Sequence, residues 1–267
     1  FVGVPQSGAP QALAALLYGY REGLPWWFPG IVSTATARAF AENSPMGYHL
    51  LPSRAYLSEF NDALVSFTDG SLFQKERAFY GERIDTPEEL RSFSLALEDG
   101  RTKPDPSNYG SANVLNADLL QYGHDIHETL DTWAPPDGIE VYEIAGWGED
   151  TLSGIEYYEE CVFSFCLPKY RPTFSTNGDG VVPVGSAHLV QDAQRYWVDL
   201  RADGFGLQTN RNHGTLLGIE ELHALIKNIL FKTTNGPSEK ILTHEPTSSI
   251  PKKTWTFFLH SPLTLSL

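Results

Sequence analysis

Apolar residues form short continuous runs near the start and in the second half of the chain, separated by a long stretch of different character. The run over 1–5 is typical of the end of a buried strand, with a proline as its stop. The runs over 138–146 and 196–200 also predict strands, the first of them ending at a glycine. From about residue 20 to 136 the pattern indicates helices and loops without strands. The pattern therefore predicts an α/β domain with a helical insertion.

Helices are predicted where apolar residues recur at spacings of three and four after a capping residue. A short helix covers 11–18, and a longer one lies within 111–133. Thr86 and Glu89 have the spacing of a capping box at the start of another helix. His213 opens a last helix, whose apolar stripe is expected to face the core and consists of Leu216, Ile219, Leu222, Ile226 and Ile229.

Beyond Phe231 the composition becomes polar and rich in proline, which predicts a linker over 232–253. Residues 254–259 and 263–267 then have strand character. Two strands are too few to be stable alone, so they are interpreted as the start of a truncated β-rich module. The main domain is expected to cover 1–231, and both chain ends look cut because each falls in a strand-like run.

Composition and charge restrict the possible functions. The chain has 267 residues, of which 41% are hydrophobic and 12% aromatic, enough for a large core. A net charge of −14, with 19 scattered lysines and arginines, argues against nucleic-acid binding, which needs clustered positive charge. No apolar run reaches about 18 residues, so no transmembrane segment is predicted. Nothing in the sequence indicates a cofactor, and the oligomeric state is left open.

Two cysteines, Cys161 and Cys166, are five residues apart in a strand-like region. Side chains at that spacing on one strand point to opposite faces, which predicts that they are not bridged. The segment 161–167 is also expected to form a short hairpin arm leading toward Gly178. Cysteine usage therefore does not fix the compartment, and a secreted or cell-surface location is one interpretation.

The candidate chemistry lies in a glycine-rich turn, Asn177-Gly-Asp-Gly, and in His213 further along. A histidine can take a proton from a hydroxyl group and return it, provided that a buried carboxylate orients the ring and stabilises the imidazolium. Asp179 would be the orienting carboxylate and His213 the base, with Gly178 and Gly180 allowing a sharp turn. Alternatively, the turn is a surface or calcium-binding loop and His213 a packed or capping residue.

Four segments resemble motifs of α/β-hydrolases related to the lecithin:cholesterol acyltransferase and phospholipid:diacylglycerol acyltransferase family. Residues 3–10 (GVPQSGAP) resemble the turn G-T-P-H-x-G-A-P, and 44–53 (SPMGYHLLPS) resemble S-P-x-x-Y-x-L-L-P-S. Residues 141–151 match V-Y-x-I-x-G-x-G-x-x-T. Residues 178–186 match G-D-G-T-V-P-x-x-S, with Val181 in place of the threonine.

The resemblance implies a partial α/β-hydrolase: the C-terminal part of a three-layer sheet, with a helical cap insertion over about 20–136 and a short trailing β segment. It assigns the catalytic aspartate to Asp179 and the catalytic histidine to His213. It also implies that the nucleophile elbow, G-x-S-x-G, lies upstream of Phe1, so the chain by itself is expected to be inactive. Ser7 is a poor candidate nucleophile, because Pro5 occupies a position where an elbow needs a small residue.

Two further groups of residues have alternative interpretations. The aromatic cluster Trp26, Trp27 and Phe28 either packs in the core or lines an apolar acyl site in the cap. His124 and His127 could share one helix face as metal ligands, but a closed site needs about four ligands. A solvated polar helix face is the favoured interpretation, and no metal site is predicted.

Three functions remain in competition. The favoured one is an acyl-ester hydrolase of the esterase or lipase type, acting on a lipid-like or other acyl ester through an acyl-serine. The same residues would serve an acyltransferase, which differs only in the acceptor that attacks the acyl-enzyme. The third is a non-catalytic surface or adhesion module built on a hydrolase scaffold.

Overall fold

The computed structural model describes residues 1–19, 34–59, 63–105, 108, 110–163, 165–201, 211–233 and 238–246. Within these ranges the helices are α1 Pro10–Tyr18, α2 Thr34–Asn43, α3 Pro45–His49, α4 Arg54–Glu59, α5 Gln74–Tyr80, α6 Pro87–Ser94, α7 Ala117–Leu130, α8 Val184–Ala187 and α9 Glu220–Phe231. The strands are β1 Val65–Phe67, β2 Arg83–Ile84, β3 Tyr142–Trp147, β4 Thr151–Val162, β5 Phe165–Ser175, β6 Gln194–Asp199 and β7 Ile241–Leu242. The aromatic cluster at 26–28 and the strands predicted over 254–267 lie outside the described residues.

This mixed α/β fold has two sheets, and the one in the order β3-β6-β7 is mainly parallel. β3 and β6 are parallel, and β7 pairs antiparallel with β6. The N-terminal segment adds to the outer edge of β3, where Val2 pairs in parallel with Ile144. Strand β7 lies inside the range predicted to be a linker, and its pairing with β6 makes it part of the sheet.

Both faces of this sheet are covered by apolar side chains, as expected for parallel strands. On one face Ile144 and Val198 pack with residues of α9 and the turn before it, including Leu216 and Leu222. On the other face Ala145 and Trp197 pack with α8 and its flanking residues. Successive strand residues therefore face opposite layers, which gives a three-layer arrangement around β3 and β6.

The second sheet, in the order β2-β1-β4-β5, joins the insertion to the domain. The prediction that 20–136 contains no strand is wrong, because β1 and β2 lie within it and β1 pairs in parallel with β4. With three and two residues, these strands are too short to show alternation in the sequence. The helices of the insertion pack against them in a core that includes Leu13, Leu64, Phe67 and Phe93.

Strands β4 and β5 form one long antiparallel hairpin, much longer than the short arm predicted over 161–167. Cys161 and Cys166 lie directly opposite each other near its end and form a disulfide. The prediction that they are not bridged is therefore wrong. It assumed a single strand, whereas the chain reverses between the two cysteines and brings their side chains to the same face of the hairpin.

Local signals predicted some helix boundaries well and others poorly. The capping box of Thr86 and Glu89 is confirmed. His213, in contrast, opens a 3-10 turn, His213–Gly218, and α9 begins only at Glu220. None of the helices in the described ranges combines the length and the apolar character needed to cross a bilayer.

Candidate active site

Asp179 and His213 lie on two loops that meet at the carboxyl ends of the parallel strands. Asp179 follows β5, and its backbone forms a parallel bridge with Glu149, just beyond β3. His213 begins the 3-10 turn before α9. Ligand sites of open α/β sheets lie at this edge, since loops from neighbouring strands converge there.

The two side chains are in direct contact. Nδ1 of His213 is 2.9 Å from Oδ2 of Asp179, and the backbone N–H of His213 donates to the carbonyl oxygen of Asp179 at 2.8 Å. The Asp179 side chain is only 1% exposed, whereas the His213 side chain is 37% exposed. The carboxylate is thus inside the protein while part of the imidazole is open to solvent. With Nδ1 occupied, Nε2 is the nitrogen that can act on another molecule.

The other carboxylate oxygen of Asp179 shapes its own loop. Oδ1 accepts hydrogen bonds from the backbone N–H groups of Val181 at 3.1 Å and Val182 at 2.7 Å. These two bonds fix the position of the carboxylate within its loop. The side chain of Val181 takes no part in these contacts, since they use the backbone.

Three glycines and Thr151 let the strand ends and the turn approach closely. A Cβ on Gly146 would lie 2.6 Å from Cβ of Asp179, and one on Gly178 would lie 2.4 Å from Oγ1 of Thr151. That hydroxyl oxygen accepts a hydrogen bond from the N–H of Gly180 at 2.8 Å. Gly180 has a φ of 96°, so only here does the turn itself require glycine. Sequence reasoning gave Gly146 and Thr151 no role, although both are fixed positions of the matched motif.

The contact with Asp179 changes the acid–base behaviour of His213. The hydrogen bond that Nδ1–H of His213 donates to Asp179 raises the pKa of the imidazole above its usual value of 6.5, partial burial lowers it, and the negative charge of Asp179 adds to the rise. The net direction is upward. Above that raised pKa, the ring holds one hydrogen on Nδ1 toward Asp179 and has a lone pair on Nε2, which is the arrangement of a general base.

The N-terminal segment lies beside this pair. A Cβ on Gly3 would lie 3.4 Å from Oδ2 of Asp179 and 3.6 Å from Nδ1 of His213, and its φ is 58°. Ser7, a few residues on, is buried with 1% exposure, which agrees with its rejection as a nucleophile. Within the described ranges no serine hydroxyl is hydrogen-bonded to the ring of His213. The described residues therefore supply a histidine paired with a buried carboxylate, and no described serine hydroxyl is in contact with the ring.

The two other candidate histidines belong to a different place, the insertion. His127 is 5% exposed, so the prediction of a solvated polar face is wrong for it. Its Nε2 is 2.7 Å from the carbonyl oxygen of His49, and its Nδ1 is 3.6 Å from Oδ1 of Asp131. Burial works to raise the pKa of Asp131, but hydrogen bonds from His127, Ala55 and Ser53 lower it overall. Both histidines line a cavity of about 160 Å³ between α6 and α7 that Asp179 and His213 do not line.

No protein-family model matches the chain, and no curated protein sequence matches it. Among solved structures, one chain of "The crystal structure of Tle4-Tli4 complex" is similar, with a TM-score of 0.45 and 15% sequence identity. The match covers 78% of this chain and 48% of that chain, so this chain spans about half the length of that neighbour.

Proposed function

We propose that this chain is part of an acyl-ester hydrolase of the lipase or esterase type, in which His213 is the general base and Asp179 orients it. The observation that carries the proposal is the 2.9 Å contact between Nδ1 of His213 and a carboxylate that is 1% exposed. A buried carboxylate on Nδ1 leaves Nε2 able to take a hydroxyl proton and later protonate a leaving group. The likeness of 178–186 to the acyltransferase-like motif supports the assignment.

The nucleophile in this proposal is a serine from a segment that precedes Phe1. The edge of the sheet supports this. Phe1 and Gly3 bond to β3 on one side through the backbone of Ile144, and no described residue pairs with the opposite side. This edge leaves room for another strand, whose following loop would lie next to Gly3 and His213.

The substrate class proposed is an ester of a fatty acid, as the resemblance to lipid acyltransferases implies. The test is an assay of fatty-acyl ester hydrolysis on the protein expressed with the residues that precede Phe1. Asp179→Asn and His213→Ala should each lower turnover by about a thousandfold or more. A fluorophosphonate probe should label one serine, and mass spectrometry of the digested protein would identify that residue.

His244→Ala is a matched control, since His244 is exposed and follows β7, where the chain runs toward the amino end of β6. It should leave turnover unchanged. Wild-type turnover in His213→Ala would end the proposal, and so would the absence of both hydrolysis and labelling in a folded protein. Adding an alcohol acceptor separates hydrolysis from acyl transfer: free fatty acid as the exclusive product supports a hydrolase, and a new ester supports a transferase.

A further inference from the structure

The end of the β4–β5 hairpin carries a cluster of exposed apolar side chains. Phe163, at the turn, is 100% exposed, and Phe165, Val162 and Leu167 beside it are 68%, 63% and 44% exposed. Together they present on the order of 500 Å² of apolar surface, given that one aromatic side chain alone carries about 150–250 Å². Contiguous patches of this size on a protein surface mark interaction sites, particularly when charged residues surround them.

Strand pairing places three of these side chains on one face of the hairpin. Val162 lies opposite Phe165, and two residues further along the ladder Glu160 lies opposite Leu167. Residues two apart on a strand share a face, so Val162, Phe165 and Leu167 form one apolar surface that continues into Phe163. The disulfide occupies the other face and links the two strands next to the turn.

The disulfide face is the one held against the body of the protein. Glu159, which shares that face with Cys161, accepts a hydrogen bond from the backbone N–H of Leu72. A Cβ on Gly70 would overlap the Glu159 carboxylate, so the loop before α5 lies close against the hairpin. The apolar face therefore points away from this loop.

A band of paired charges separates the apolar end from the rest of the hairpin. Nζ of Lys169 is 3.6 Å from Oε2 of Glu160 on the apolar face, and Arg171 pairs with Glu156 one step further back. The guanidinium of Arg171 also lies 4.9 Å from the ring centre of Tyr158. Both signs of charge are present, so the band has no net positive character.

We propose that this apolar end is a lipid-contacting wedge that inserts into the interface of a zwitterionic phospholipid surface. One observation favours this occupant over a protein. The order of side chains, an apolar end followed by charges of both signs, matches the order of acyl chains and zwitterionic headgroups across the surface of a bilayer.

The charge of the protein selects among lipid surfaces. The net charge is −14, and Glu156, Glu159 and Glu160 all lie near the wedge, so an anionic surface would repel the chain.

The inference stands on the hairpin alone and does not require the acid–base pair to be catalytic. Its failure would leave the proposed hydrolase untouched, because lipid binding and ester hydrolysis are measured separately.

The experiment is a flotation assay of the protein with phosphatidylcholine vesicles. Wild type should float with the vesicles, and Phe163→Asn and Phe165→Ser should each lower the partition coefficient by about tenfold, the effect of removing one buried aromatic side chain. Asparagine suits position 163 because Phe163 has a φ of 57°, which asparagine tolerates. Phe40→Ser, at a site 70% exposed on α2, is the control and should bind as wild type does.

Three results would overturn the wedge. One is wild-type protein that stays out of the floated fraction. Another is Phe163→Asn and Phe165→Ser that float like wild type. The last is a wild-type dimer in sedimentation that is absent in both hairpin variants. A second copy of the chain would then be the occupant of the apolar end. Replacing part of the phosphatidylcholine with phosphatidylserine should weaken binding, and stronger binding would contradict the charge argument.

Discussion

At the scale of single residues, the acid–base pair depends on contacts that each involve few atoms. His213 is oriented through both its ring and its backbone N–H, and both contacts go to Asp179. Asp179 in turn is held by two backbone N–H groups of its own loop. The pair is therefore a small unit whose acid–base behaviour can be measured without any substrate.

The first prediction concerns the pKa of His213. In wild type it should lie above 6.5, and in Asp179→Asn it should fall, because the hydrogen bond and the negative charge that favour the imidazolium are lost. Titration of the ring protons by NMR measures it directly. His188 provides an internal reference, since burial lowers its pKa to about 4 and it should not respond. An unchanged pKa of His213 in the variant would contradict the observed contact.

The second prediction concerns Gly146, whose missing side chain makes room for Asp179. Gly146→Ala should lower the free energy of unfolding by about 1–3 kcal/mol, since the new methyl group overlaps Asp179 and Leu200. It should also shift the pKa of His213 downward, as the carboxylate is displaced. Urea unfolding and the same NMR titration test both effects. Gly218→Ala is the control, because nothing lies within 4 Å of its added Cβ.

At the scale of elements, β3 joins parts of the chain that are far apart in sequence. Glu143, 0% exposed on β3, accepts hydrogen bonds from Nε2 of Gln6 at 2.7 Å and from the backbone N–H groups of Leu189 and Val190. Arg195 on β6 approaches the same carboxylate at 3.4 Å. One buried side chain thereby links the N-terminal turn, two strands and the loop after α8.

The third prediction follows from this role of Glu143. Glu143→Ala would leave the N–H groups of Leu189 and Val190 without their acceptor, while Gln6 and Arg195 would keep the carbonyl oxygens of Ala187 and Val190. This loss should cost about 3 kcal/mol of unfolding free energy. Glu143→Gln keeps an acceptor oxygen and should cost less than half of that. Chemical denaturation of both variants provides the comparison, with equal losses as the outcome that would argue against a bonding role.

Elements with local signals were predictable, and elements made by pairing were not. The capping box at Thr86 depends on residues three apart, so sequence spacing was enough to find it. The disulfide was missed because its geometry depends on where the chain reverses. Glu143 could not be recognised as buried from the sequence, because the same run contains Glu140, which is exposed. The order of motifs along the chain predicts the loops of Asp179 and His213. The glycines beside Asp179 belong to the same motif.

At the scale of the whole molecule, stability should respond to pH through two histidines that act in opposite directions. Burial, with a smaller contribution from the charge of Arg195, lowers the pKa of His188 to about 4, so folding disfavours its protonation. The raised pKa of His213 means that folding favours protonation there. The His213 contribution is fully present below pH 6.5 and is lost as pH rises through its folded pKa.

The fourth prediction is that His188 makes the protein less stable in acid. Between pH 6.5 and about 4, His188 is protonated in the unfolded chain but not in the folded protein. The free energy of unfolding therefore decreases by up to about 3 kcal/mol as the pH is lowered through this range. His188→Gln should remove this part of the slope. Urea unfolding across that pH range tests it, and parallel wild-type and variant curves would show that His188 does not contribute.

The separate tasks of the two Asp179 oxygens limit what an amide could do in the same place. An asparagine would have to turn its oxygen toward the N–H groups of Val181 and Val182, because its NH₂ group is a donor and cannot accept their hydrogen bonds. Its NH₂ would then face Nδ1 of His213, which could only accept, and the ring hydrogen would move to Nε2. The outward edge of the imidazole would change from lone pair to donor with every heavy atom still in position. A single exchange of oxygen for nitrogen would thus reverse the polarity that the ring presents to a substrate.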